Sequence, residues 1–213
     1  MKVAYTPIDI EFDSSTVDKV QLLSFIKNNY VKDLEYTSKL APIVVRHKVN
    51  DWRSKADIFG KDVGYKLSDN YKLYYAPGIE ETFPTIVKLL DQLPYKQLIG
   101  ACFNLHQNPL YPHQDENDTN MPQTPERYNV LLTEHFGQDS FFVAKTRTSE
   151  KVYPTILKEA PVYSFDNRNF YHGADPVLDN RVILVCSGIL DDERHKELIR
   201  RSSEKYKNYV IKF

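Results

Sequence analysis

The spacing of hydrophobic positions predicts two helices in the first half of the chain. Apolar residues recur every three or four positions over about 16–30, which is typical of one buried helix face. A second stripe of this kind follows Pro84, a residue suited to the first turn of a helix, and ends before Pro94. The β-branched and aromatic residues at 43–45 and 73–75 predict short strands between the helices.

From residue 98 onward, short runs of β-branched and aromatic residues alternate with turn-forming residues. The runs lie at 98–105, 110–115, 127–133, 140–146, 151–157, 161–166, 169–174 and 181–190. About six to eight short strands, spaced by about 8 to 15 residues, indicate a β-sandwich or barrel rather than alternating strands and helices. A charged segment over 191–206 predicts a final helix.

Together these elements predict a mainly β protein with flanking helices, in the α+β class. The 213 residues are the size of one domain. We expect a helix-containing N-terminal part over 1–97, packed on a β core over 98–190. A C-terminal helix and tail over 191–213 complete the predicted domain.

Composition and charge narrow the classes of function. Lys plus Arg (28) nearly balances Asp plus Glu (29), so a broad cationic face for nucleic acid or anionic lipid is not expected. The longest apolar run, 182–190, is about half a membrane span. We therefore expect a cytoplasmic protein without a membrane segment. Cys102 and Cys186 lie in apolar runs, and we expect both to be buried, reduced thiols rather than a redox pair.

The sequence contains an H-x-D triplet, formed by His113 and Asp115, on a predicted strand. Residues i and i+2 of a strand share one face and lie about 6.6–6.8 Å apart, so an imidazole and a carboxylate placed there can converge on one cation. His195 and Glu197 form a similar triplet on the predicted C-terminal helix. There the two side chains point about 200° apart, and we interpret them as part of a solvated face.

Two further residues follow the triplet in order. His172 lies in the strand-like run 170–174, and Arg181 opens the apolar run that follows. The turn-forming residues at 175–180 predict that these two strands pair antiparallel, which would bring Arg181 close to His172. A guanidinium in so apolar a setting needs an anionic partner or a path to water, and its planar fork suits a carboxylate.

Each of these residues also has a simpler interpretation. Taken alone, His113 and Asp115 are consistent with an exposed strand residue and a turn carboxylate. His172 is consistent with a core histidine, and Arg181 with a surface ion pair. The two histidines beside turn signals, His106 and His135, are expected to face solvent.

The order H-x-D, distal His and Arg resembles the iron(II)- and 2-oxoglutarate-dependent dioxygenases over residues 98–190. The Arg spacing is most similar to the prolyl-4-hydroxylase-like branch. Asn104 and the segment 111–115 are similar to the strand that leads into the metal pair of that superfamily. The resemblance implies a double-stranded β-helix core of the jelly-roll or cupin-like type. Residues 159–161 depart from the family, which often has a glycine in this turn.

The resemblance also implies a mechanism. His113, Asp115 and His172 would bind Fe(II), and Arg181 would hold the far carboxylate of the cosubstrate 2-oxoglutarate. Asn104 and Tyr111 would form hydrogen bonds to the cosubstrate. The implied activity is a dioxygenase, in particular a hydroxylase, that uses O2 and releases succinate and CO2. Its substrate would be a peptide, a protein side chain or a small molecule.

Two other functions share parts of this pattern. A non-oxidative, metal-binding cupin-like protein, such as an isomerase or small-molecule sensor, would use the metal residues but not Arg181. A structural jelly roll would bind no metal. The polar segment 116–127 is consistent with a lid or with an ordinary connection. Tyr71, Tyr74 and Tyr75 are consistent with a substrate wall or with packing onto the sheet.

Overall fold

Antiparallel strands are the predominant secondary structure of the protein, described from a computed structural model of the chain. It describes residues 1–32, 39–46, 73–76, 78–115, 126–138 and 140–213. The strands within these ranges are β1 (Val3–Pro7), β2 (Val31–Lys32), β3 (Lys39–Arg46), β4 (Leu73–Tyr75), β5 (Tyr95–His106), β6 (Leu110–His113), β7 (Glu126–Leu131), β8 (Gly137–Gln138), β9 (Phe141–Ala144), β10 (Thr155–Ile156), β11 (Val162–Asp166), β12 (Tyr171–Ala174), β13 (Arg181–Leu190) and β14 (Ile211–Lys212). The helices are α1 (Lys19–Asn29), α2 (Ile79–Thr82), α3 (Pro84–Gln92) and α4 (Asp192–Lys205).

The strands form one large sheet and two small ones. The large sheet has the order β14-β1-β11-β7-β13-β5-β3-β2, with β4 paired to β3. A three-stranded sheet has the order β6-β12-β9, and β10 pairs with β8. The strand-rich architecture with few helices confirms the coarse fold class predicted from the hydrophobic pattern.

The helix predictions are confirmed with shifted boundaries. The first predicted helix begins at Lys19, because the side chain of Asp18 accepts a hydrogen bond from the backbone N–H of Gln21, 2.9 Å away, and caps the helix. Pro84 is the first residue of α3. In the same way, Asp191 caps α4 by accepting from the backbone N–H of Arg194.

The large sheet packs against the three-stranded sheet through one face. Ile183 of β13 and Leu131 of β7 form a buried cluster with Phe141 and Val143 of β9. Side chains alternate between the two faces of a strand. Arg181 therefore lies on the same face of β13 as Ile183, toward the space between the sheets.

The opposite face of the large sheet is covered by helices. Val182 and Leu184 of β13 belong to a second buried cluster, together with Leu22 and Ile26 of α1. Residues of α3 and α4 also join this cluster. Because β13 is buried on both faces, it occupies a central position between β7 and β5.

The structure corrects two predictions. The strands β12 and β13 do not pair with each other, because β12 lies between β6 and β9 in the small sheet and β13 lies in the large sheet. The connection 175–180 therefore crosses from one sheet to the other instead of forming a hairpin. His106 is only 3% exposed. It was expected to face solvent, but β5 extends to this residue and pairs it with Arg181.

Both cysteines are free and buried, as predicted. Cys102 lies opposite Val185, and Cys186 lies opposite Ala101, so the two thiols are on opposite faces of the sheet. Burial raises the pKa of Cys102 to about 12, which makes this thiol unreactive. Among the described residues, no helix combines the length and the apolar character that crossing a membrane requires.

Candidate metal centre

Three side chains that are distant in sequence converge at one end of the three-stranded sheet. His113 of β6 and His172 of β12 are direct partners across the two strands, and Asp115 follows β6. The Oδ1 atom of Asp115 lies 3.7 Å from Nε2 of each histidine. The three potential ligand atoms all lie within 4.8 Å of one another, as a single shared cation requires.

The backbone orients the imidazole of His113. Its Nδ1 lies 2.8 Å from the carbonyl oxygen of Tyr111. A carbonyl can only accept a hydrogen bond, so Nδ1 carries a proton, and in the neutral ring the lone pair is on Nε2. The lone pair that faces Asp115 is therefore available to a metal ion, and the hydrogen bond holds the ring in that orientation.

Asp115 is held by groups from two other parts of the chain. Its backbone N–H donates to the carbonyl of Asn167, 2.9 Å away, and the amide of Asn167 donates to its Oδ2. The guanidinium Nε of Arg127 lies 2.9 Å from the same Oδ2. Burial by itself would raise the pKa of Asp115. The charge of Arg127, with smaller effects of His172 and Asn167, nevertheless holds that pKa below its ordinary value.

His172 lies deeper than His113 and is only 5% exposed. Its ring packs against Phe165 of β11, with ring centroids 4.9 Å apart. Burial lowers the pKa of His172 to about 3, although the carboxylate of Asp115 acts in the opposite direction. The imidazole is therefore neutral at physiological pH, which is the form that binds a metal ion.

The donor set fits a divalent transition metal. The separations of 3.7 Å between Asp115 and the imidazoles exceed hydrogen-bond length, so these groups face a common point without bonding to each other. Two ligand atoms about 2.1 Å from one ion lie about 3.0 Å apart when they subtend a right angle. A small decrease in the distances between Asp115 and the two imidazoles would therefore bring all three groups within bonding distance of one ion. Two imidazoles and one carboxylate are the donors of the facial triad that binds Fe(II) and leaves positions open.

The residues predicted to bind the cosubstrate occupy different environments. Arg181 is 1% exposed on the face of β13 that is directed between the sheets. Asn104 lies opposite Ile183, and its Oδ1 is buried without a hydrogen-bond partner in the described part of the chain. The side chain of Tyr111 is 76% exposed. The role of these three residues stays a prediction.

The sequence interpretation missed Arg127 and Asn167, which hold Asp115. Arg127 lies in a run that was predicted to be a strand. It precedes Leu131 by four positions, so the two side chains share one face of that strand. This spacing is the only signal in the sequence that the guanidinium is directed inward. His195 on α4 is not simply solvated as predicted, because its Nδ1 shares a hydrogen bond of 2.7 Å with the hydroxyl of Tyr128.

Some residues of the predicted lid and of the predicted tyrosine cluster lie outside the described residues. The lid candidate is described only at Glu126 and Arg127, so residues 116–125 lie outside the structure's description. The same applies to Tyr71 and to the side chain of Tyr74. Tyr75 packs against the helix-covered core of the large sheet, consistent with the packing interpretation.

No protein-family model matches the chain, and no curated protein matches it. The solved structures with weak similarity to the chain at the level of the fold include two from bacteria. One is an oxidoreductase of the 2OG-Fe(II) oxygenase family from Burkholderia pseudomallei, with 11% sequence identity, 79% of this chain and 76% of that chain covered, and a TM-score of 0.46. The other is IDO from Bacillus thuringiensis, with 9% identity, coverage of 80% and 82%, and a TM-score of 0.42.

Proposed function

We propose that the protein is an Fe(II)- and 2-oxoglutarate-dependent dioxygenase that hydroxylates a protein side chain or a small molecule. One observation carries this proposal: a carboxylate oxygen and two imidazole nitrogens converge from β6 and β12 on one point. This donor set holds Fe(II) on one side only, so that other ligands can bind to the opposite side.

The order of the strands supports a double-stranded β-helix core. From β5 to β7, the chain passes from the large sheet to the three-stranded sheet and back. It does so again through β9 and β11, and once more through β12 and β13. A double-stranded β-helix requires such alternation between two facing sheets. The alternation also brings β6 and β12 together, although 57 residues lie between the end of β6 and the start of β12.

The residues of the site would have distinct tasks. His113, Asp115 and His172 would hold the ion, and the ring of Phe165 would keep water away from the inner imidazole. Fe(II), with 2-oxoglutarate bound, supplies the activation of O2 for hydroxylation, with release of succinate and CO2. The neutral state of His172 means that no proton has to leave this imidazole before the ion binds.

Arg181 is the residue that we assign to the far carboxylate of 2-oxoglutarate. It lies on the face of β13 that is directed between the sheets, where its guanidinium can offer two parallel N–H groups to a carboxylate. Asn104 is a diagonal neighbour of Arg181 on the same face, at a distance of about 7–8 Å between Cα atoms. Its buried amide is a candidate partner for the same ligand. Tyr111 would contact the cosubstrate only from the exposed side.

The proposal is tested by anaerobic titration of 2-oxoglutarate into the protein loaded with Fe(II). We expect a metal-to-ligand charge-transfer band in the visible spectrum, and turnover of 2-oxoglutarate to succinate when O2 is admitted. Both should disappear in His172→Ala and persist in His135→Ala, which removes a partly exposed histidine outside the triad. Iron binding without a charge-transfer band would favour the non-oxidative, cupin-like alternative. Absence of specific iron binding would refute the metal site itself.

A further inference from the structure

Arg127 connects the large sheet to the candidate metal centre in the small sheet. It lies on β7, 12 positions after Asp115, and its Nε is 2.9 Å from Oδ2 of that carboxylate. Its strand partner on β11 is Phe165, whose ring packs against His172. One cross-strand pair of the large sheet therefore contacts both the carboxylate and the inner histidine of the triad.

The two oxygens of Asp115 have different surroundings. Oδ2 forms an ion pair with the guanidinium of Arg127 and accepts a hydrogen bond from the side-chain amide of Asn167. Oδ1 faces Nε2 of both histidines. Turning the carboxylate so that both oxygens approach a cation would separate Oδ2 from its ion-pair partner Arg127 and from the amide of Asn167, in a site where burial makes lost polar contacts expensive.

We propose that Arg127 is a positioning residue that makes Asp115 a one-oxygen ligand and so keeps three positions of an octahedral ion open. This inference rests on the metal site of the proposed function and adds a role for a residue outside the triad. Two imidazoles and one carboxylate oxygen occupy three of the six positions of the ion. A carboxylate that binds through both oxygens would occupy a fourth.

The number of open positions decides the chemistry available to the site. A cosubstrate that binds through two oxygen atoms, together with O2, needs all three open positions. With only two open positions, the cosubstrate and O2 could not bind at the same time. Arg127 would therefore act on the coordination number without contacting the ion, the cosubstrate or the substrate.

The test counts the water molecules on a bound ion, a measurement that does not depend on turnover. Mn(II) is titrated into the protein, and the number of exchangeable waters is measured by water-proton relaxation. We expect about three waters in the unaltered protein. We expect about one water fewer in Arg127→Met, which removes the charge but retains much of the side-chain volume. Arg127→Lys keeps a positive charge and should restore the original count.

Arg168 offers a matched control. Its backbone carbonyl accepts from Gln114, 2.7 Å away. The charge of its guanidinium acts on Asp115, but among the described ion pairs it does not contact that carboxylate, so it controls for a nearby charge without contact. Arg168→Met should keep the water count of the unaltered protein. Circular dichroism checks the folding of each variant, and Arg127→Gln replaces Arg127→Met if the latter does not fold.

The outcomes separate this inference from the proposed function. If the unaltered protein binds no Mn(II), the metal site fails and the role of Arg127 fails with it. If Mn(II) binds and Arg127→Met retains the full water count, only the positioning role is overturned. A variant that combines Arg127→Met with Asn167→Ala removes both the ion pair and the hydrogen bond to Oδ2. A loss of water in that variant alone would assign the role to Asn167 and overturn the assignment to Arg127.

Discussion

His113 and His172 lie directly opposite each other on neighbouring antiparallel strands, with ring centroids 4.3 Å apart, although 59 positions separate them in sequence. Directly paired residues project to the same side of a sheet. Strand registry thus brings the two imidazoles together before any metal ion binds, and Asp115 completes the group from the segment that follows β6.

Asn167 should contribute to metal affinity, because its amide holds Oδ2 of Asp115. We expect Asn167→Ala to weaken Mn(II) binding about 10-fold or more, the effect typical of partners that orient a metal ligand. The backbone bond between Asp115 and residue 167 does not depend on the side chain and should survive. Isothermal titration calorimetry measures the change in affinity.

Asn169 provides the control for this prediction. It is exposed in the same turn, and its amide donates to Asp166 rather than to the triad. Asn169→Ala should leave the dissociation constant for Mn(II) within about twofold of the original value. Equal losses in the two variants would show that the turn, and not the contact with Asp115, determines affinity.

Arg181 should affect the cosubstrate and leave the ion unaffected. Because Arg181 is buried, truncation to alanine would disturb folding, so the informative variant is Arg181→Lys, which keeps the charge but loses the planar fork. We expect the dissociation constant for 2-oxoglutarate to rise about 10-fold or more, the loss of about 1.4 kcal/mol of binding free energy. Anaerobic titrations of 2-oxoglutarate and of Fe(II) measure the two affinities separately. A parallel loss of iron affinity would contradict this division of roles.

The convergence of His113, Asp115 and His172 was predicted from the sequence, but the groups that hold Asp115 were not. His113 and Asp115 lie two positions apart in a run that was predicted to be one strand, which would place both on one face. In the structure β6 ends at His113, and Asp115 joins the group from the segment that follows the strand. Arg127 belongs to the large sheet and Asp115 follows a strand of the small one, so their contact depends on how the two sheets pack together. The hydrophobic pattern specifies which face of a strand is buried, but it carries no information about which strand lies opposite.

The same limit explains the wrong prediction for β12 and β13. A short turn between two strands usually indicates a hairpin, so 175–180 predicted direct pairing. In the structure, β13 is buried on both faces and pairs along most of its length with β5, while β12 pairs with β6 and β9. The ten-residue apolar strand gains more burial in the centre of the large sheet than it would beside the four-residue β12.

Gly173 should be required for the spacing of the strands that carry the triad. A Cβ at this position would lie 2.3 Å from the carbonyl oxygen of Leu110 and 2.5 Å from Cζ of Phe142. Because Leu110 belongs to β6, a methyl group here would displace the strand that carries His113. We expect Gly173→Ala to lower the free energy of unfolding by about 1–3 kcal/mol and to weaken Mn(II) binding.

Substitution of Gly137 is the control that distinguishes a general loss of stability from a specific loss of metal binding. Its φ of +90° disfavours any other residue, yet nothing lies within 4 Å of an added Cβ. Gly137→Ala should reduce stability by about 1–2 kcal/mol, measured by urea unfolding, without changing the affinity for Mn(II). Metal affinity that falls equally in Gly137→Ala and Gly173→Ala would refute a specific effect on β6.

The metal-free protein should lose stability as the pH falls below about 6.5, because His172 is buried in its neutral form. The pKa of His172 is about 3 in the folded protein, whereas its ordinary value is 6.5. Between these two pH values the unfolded chain therefore binds more protons than the folded protein. The free energy of unfolding should therefore fall by up to about 1.4 kcal/mol per pH unit from this residue. Asp115, whose pKa is lowered below 3.8, adds a loss of the same sign only at more acidic pH. Urea unfolding at about pH 6.5 and about pH 5 measures the slope, and His172→Gln should reduce it, since this variant lacks the buried imidazole that takes up a proton on unfolding. An identical slope in the variant would contradict burial of a neutral imidazole.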